Sequence, residues 1–89
     1  MRSLVILLLL LLGNTAAAVE LTGEAIQGGL IFGIAEPGSE VKLDDTPVSV
    51  SKDGRFVIGF GRDETGTREL IVSSPGGETF RESMTVRPR

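Results

Sequence analysis

The sequence predicts an all-β fold: a small immunoglobulin-like β-sandwich of about seven short antiparallel strands, preceded by a signal peptide. Three observations carry this. Val41 and Leu43 alternate with Glu40, Lys42 and Asp44, and Phe56, Ile58 and Phe60 with Arg55, Val57 and Gly59, and a period of two places each such set on one face of a pleated strand. Turn punctuation separates the runs: Pro37-Gly38, Asp44-Asp45 followed by Pro47, Lys52-Asp53-Gly54, and Ser74-Pro75-Gly76-Gly77. Beyond residue 18 no stretch sustains the 3.6-residue apolar period of a helix. A closed barrel is the alternative, since strand count alone does not separate the two.

The N-terminus stands apart from the domain. Arg2 forms a short positive region, Leu4 to Leu12 an unbroken run of nine apolar residues, and Gly13-Asn14-Thr15 a polar break before Ala16-Ala17-Ala18. That is the build of a secretory signal peptide, with cleavage expected between Ala18 and Val19. The run is well short of the ~20 residues of a spanning helix, and no cysteine follows it to take a lipid anchor. An exported product, periplasmic or extracellular, without a stable membrane anchor is therefore expected.

Removing 18 of the 89 residues leaves 71, and loss of Arg2 takes the formal charge from −3 to −4. A mildly acidic domain with scattered basic residues lacks the footprint of a nucleic-acid binder. Without cysteine, no disulfide supports the fold despite export. A chain of this size buries only ~60% of its unfolded surface and is commonly attached to something larger.

Taken in order, residues 19–89 read as follows. Val19–Ala25 alternates Val19 and Leu21 with Glu20 and Thr22, and Gln27-Gly28-Gly29 ends it. Leu30, Phe32 and Ile34 then share one parity. Ile31, Gly33 and Ala35 take the other, a mostly small set suited to close approach of a backbone. Val41 with Leu43, Val48 with Val50, and Phe56 with Ile58 and Phe60 supply the next three strands. Gly54 is placed to take a positive φ in the turn before the last of these. After the polar loop Gly61–Gly66, Thr67–Ser73 and Glu78–Val86 close the domain. Phe32, Phe56, Phe60 and Phe80 all sit at core phases. Glu82 shares the parity of Phe80, Met84 and Val86, so it is expected at a sheet edge, where a carboxylate stays hydrated.

The chemistry is bounded by absences. The chain has no histidine and no cysteine, which removes the usual zinc sites, the Ser-His-Asp triad and the Cys-His dyad. Lys42 and Lys52 lie at polar phases where nothing activates them for a serine–lysine mechanism. Asp44-Asp45 and Asp63-Glu64 are neighbours in turns, which does not set two carboxyls across a cleft as a glycosidase requires. Asp44, Asp45 and Asp53 lack the spacing of a calcium loop, and turn aspartates are expected to bond their own backbone. With no tyrosine or tryptophan, a stacking platform for sugar rings is not expected.

Gln27-Gly28-Gly29, Gly33, Pro37-Gly38, Asp53-Gly54-Arg55-Phe56 and Gly59-Phe60-Gly61-Arg62-Asp63 follow one another over essentially the whole of residues 19–89. In this order they resemble the N-terminal β-domain of secreted bacterial peptidoglycan metallopeptidases of the lysostaphin type. The resemblance implies a non-catalytic accessory domain, a fragment ending before a covalently linked peptidase domain. Zinc and its histidine and aspartate ligands would belong to that domain, and this chain would hold no cofactor and no catalytic residue. Peptidoglycan is the implied surface partner, and Arg62 and Asp63, just past a strand, the implied interdomain contact. A free-standing exported immunoglobulin-like binding module is the alternative.

Overall fold

The computed structural model describes residues 17–89; the expected signal peptide, apart from Ala17 and Ala18, lies outside the described residues. Seven strands follow in order: β1 Glu20–Gly23, β2 Leu30–Ile34, β3 Glu40–Leu43, β4 Thr46–Val48, β5 Arg55–Gly59, β6 Thr67–Ser73 and β7 Thr79–Thr85. They form two antiparallel sheets, β1-β2-β5 and β4-β3-β6-β7. The fold is a small all-β sandwich, with no helix among the described residues.

The turns dictate this topology. Only Asp44 and Asp45 separate Leu43 from its partner Thr46, and Asp44 takes φ 55°, a left-handed conformation that aspartate tolerates better than most residues. A two-residue loop leaves no slack, so β4 must pair with β3. In the seven-stranded immunoglobulin constant arrangement the fourth strand joins the first sheet instead. The first sheet is left with three strands, β2 at its centre.

At the turn before β5, Gly54 donates to the Ser51 carbonyl (3.0 Å) and its own carbonyl accepts from the Ala35 amide (2.8 Å). Its φ is 87°, and a Cβ there would come within 2.9 Å of the Ala35 carbonyl carbon. Glycine is required twice over, by conformation and by space.

The core lies between the sheets. Ile31, Ala35, Phe56, Ile58 and Phe60 come from the first sheet and its flanks, and Val41, Leu43, Leu70, Val72, Met84 and Val86 from the second. Leu70 and Val72 are fully buried. Phe80, Val48 and Val50 pack against the cluster from partly buried positions. Glu82 is exposed on β7, an edge strand, as its charge requires.

One expectation fails, on β2. Phe32, placed by its alternation in the core, is 51% exposed, with Leu30 and Ile34 beside it on the outer face. Ile31, Gly33 and Ala35 face inward. Both faces of β2 carry apolar residues, so alternation within the strand does not fix its phase. The partner strand does. Cross-strand partners share a face, and Gly33 pairs with Phe56 while Ile34 pairs with Arg55. Burying Phe56 therefore turns Gly33 inward and Ile34 outward. Gly33 then leaves room for the Phe56 ring, because a Cβ there would lie within 2.6 Å of three of its carbons.

Candidate functional site

Two of the stretches that carry the family resemblance, Gln27-Gly28-Gly29 and Gly59–Asp63, come together at one end of the sandwich, while Gly33 lies within β2 and Pro37-Gly38 and Asp53-Gly54 lie at the other end. The β1–β2 loop is closed by the Gly29 amide donating to the Ile26 carbonyl (2.8 Å). Gly29 accepts from the Phe60 amide (3.0 Å), and Gly28 donates to the Gly61 carbonyl (3.0 Å). Gln27 is the hub. Its amide donates to the Arg87 carbonyl (2.9 Å), its Nε2 to the Glu64 carbonyl (3.1 Å), and its Oε1 accepts from the Arg89 amide (3.5 Å). An isolated parallel bridge between Ile26 and Arg87 ties the same loop to the segment after β7. Arg87 also pairs with Glu24 at the surface. Gln27–Gly29, Gly61–Glu64 and Arg87–Arg89 thus form one hydrogen-bonded end.

The Gly61–Gly66 loop is held from its other side by charge. Glu64 accepts from the Gly61 amide through Oε1 (2.9 Å) and from Arg68 Nη1 through Oε2 (2.8 Å). Arg68 Nε in turn donates to Asp44 Oδ2 (2.7 Å), and Asp44 Oδ1 accepts from the Glu69 amide (3.0 Å). The Glu69 N–H, then the Arg68 guanidinium, hold the Asp44 carboxyl below its ordinary pKa. For Glu64 the Gly61 N–H is the larger cause and Arg68 the next. The two carboxylates together raise Arg68 further.

This network alters one reading of the sequence. Asp44 does not bond its own turn; its carboxylate reaches across to β6. One carboxylate from each of the two acidic pairs does converge, yet both shift downward and clasp the same arginine. A general acid–base pair needs environments that push the two apart, so this cluster is built to hold the loop.

Other candidates are committed elsewhere. Lys42 and Lys52 are exposed. The two buried serines are engaged, Ser39 Oγ donating to the Glu36 carbonyl (2.6 Å) and Ser74 Oγ to Glu78 Oε1 (2.8 Å). Asp53 lies beside Arg55 (3.5 Å). The described residues include no group of three or more acidic, histidine or cysteine side chains that could hold a metal.

Arg62 and Asp63 occupy the exposed tip of the loop that Gln27, Glu64 and Arg68 hold in place. Among the described residues their side chains make no hydrogen bond or ion pair. The sequence shows this loop but not its supports. A lone glutamine ahead of Gly-Gly is a faint signal, and the pairing of Arg68 with Asp44 joins segments 24 positions apart. Comparison of the chain with protein-family models, with curated proteins and with solved structures returns no match.

Proposed function

We propose that this chain is a non-catalytic β-sandwich accessory domain of an exported, peptidoglycan-hydrolysing zinc metalloendopeptidase, and that it positions or shields a covalently linked peptidase domain. The observation that carries the reading is the convergent end. Gln27-Gly28-Gly29 and Gly59–Asp63, two of the motifs that suggest the family, are bonded to one another, and Gln27 is bonded to Arg87 and Arg89. A domain joined beyond Arg89 would emerge beside Arg62 and Asp63, whose charged side chains are then placed to meet it. The downward-shifted Asp44 and Glu64 support a structural rather than a catalytic role for the acidic groups.

The test has two arms. The isolated chain is expected to release no fragments from purified peptidoglycan, with or without added zinc. In a longer product, reversing the charges at Arg62 and Asp63 is expected to change peptidase activity while the melting temperature of the sandwich stays put. Peptidoglycan hydrolysis by the chain itself, lost on mutating Asp63, would overturn the reading. The alternative, a free-standing exported binding module, draws support from the apolar outer face of the first sheet.

A further inference from the structure

The three-stranded sheet turns an apolar face to solvent. Leu30, Phe32 and Ile34 run down its central strand and Val57 lies beside Phe32, all between 40% and 51% exposed. Antiparallel partners share a face, so the register maps it row by row. Glu20, Ile34 and Arg55 form one row, Thr22, Phe32 and Val57 the next, and Leu30 and Gly59 the last. The face is an apolar stripe with a carboxylate on one flank and a guanidinium on the other, both exposed. Asp53 adjoins Arg55 and shares it (3.5 Å).

We propose that this face binds a second copy of the chain, the two sheets stacking about a two-fold axis parallel to the strands. Such an axis keeps every row level and exchanges its flanks. The apolar stripe then covers itself, Phe32 on Phe32, and Val57 meets Thr22 of the other copy. Glu20 of each copy stands over Arg55 of its mate. A two-fold axis across the strands would instead carry both charged flanks away from their complements. The row pattern therefore selects one self-complementary arrangement, as an isologous interface requires. Sheets stacked this way lie ~10 Å apart with their strands about 30° from parallel.

Size sets the strength. The exposed apolar stripe is on the order of 300 Å², typical of the largest patch on a monomer. A standard interface buries about 800 Å² per partner. The face with its charged flanks falls below that, so the dimer is weak, with a Kd of roughly 10–1000 μM. This inference stands on the outer face and does not rest on the accessory-domain reading.

Residues 17–89 hold all seven strands and the whole core cluster, so they serve as the test protein. Sedimentation equilibrium from about 10 μM to about 2 mM, bracketing the expected Kd, is expected to show a monomer–dimer equilibrium. Phe32→Glu, Glu20→Arg and Arg55→Glu should each weaken it at least about tenfold, the last two by facing like charges. Combining Glu20→Arg with Arg55→Glu swaps the flanks and should restore the Kd to within about threefold. All three positions are exposed, and far-UV circular dichroism checks that each variant folds. A wild-type monomer throughout the range, dimerisation unaffected by Phe32→Glu, or a double swap no better than the single variants would overturn the proposal. Protection of the Phe32 face by a linked domain in a longer product, with the chain alone monomeric, would likewise overturn it.

Discussion

Gly33 and Phe56 offer the sharpest test of how the two sheets fit together. Gly33→Ala removes the entropic penalty of glycine in a strand, worth about 0.5–1 kcal/mol in favour of the folded state. Against this, the new Cβ would fall within 2.6 Å of three carbons of the buried Phe56 ring. The ring lies under the facing sheet and has nowhere to retreat without disturbing close packing. Overpacking of this kind costs about 1–3 kcal/mol, and the overlap falls at the upper end, so Gly33→Ala is expected to lose about 2 kcal/mol net. Phe56→Leu alone should cost about 1–2 kcal/mol, less than the 3–5 of truncation to alanine. Together the two relieve each other, since a shorter side chain at 56 admits the new methyl. The double variant should be more stable than the sum of the single losses by about 1–2 kcal/mol, within the range for residues in contact. Urea unfolding followed by circular dichroism reads these differences as midpoint shifts, at about 1 kcal/mol per molar for so small a domain. An unshifted midpoint for Gly33→Ala, or strict additivity in the double variant, would refute the claim that this glycine exists to admit that ring.

Other expected outcomes follow from the same structure. Gly54→Val places a branched side chain at φ 87° against the Ala35 carbonyl; the loss, about 3 kcal/mol or more, should abolish the cooperative melt of the domain. Asp44 and Glu64 have lowered folded-state pKa values, so their contribution is full above the ordinary carboxylate range and is lost as pH falls through the folded values. Melting temperature should accordingly drop below about pH 5, and Arg68→Leu should flatten that acid limb in part, the Glu69 and Gly61 N–H groups still favouring the carboxylates. Gln27→Ala removes the Nε2 bond to the Glu64 carbonyl and should cost about 1 kcal/mol. Amide exchange should then quicken at Gly28 and through Gly61–Glu64 while Leu70 and Val72 stay protected.

Much of the fold is legible in the residues themselves. Where a strand has one apolar and one polar face, alternation fixes both existence and phase, as at Val41 and Leu43. Turn residues mark the breaks, and Gly54 and Asp44 show why: each sits at a positive φ. On β2 alternation loses its meaning, because apolar residues occupy both faces and the phase comes from Phe56 on another strand. The candidate end follows the same division. Arg62 and Asp63 are visible as a polar loop after a strand. Gln27 and Asp44 gain their roles through contacts across 37 and 24 positions of sequence, to Glu64 and Arg68, and no local pattern reports those.

The accessory-domain proposal is tested most directly by the reading frame that follows the codon for Arg89. It predicts a downstream domain with an HxxxD and an HxH pattern, the histidines and aspartate of a zinc peptidase, joined within a short linker of the end where Arg62 and Asp63 stand. A stop codon at that point, or a continuation without those residues, would contradict it.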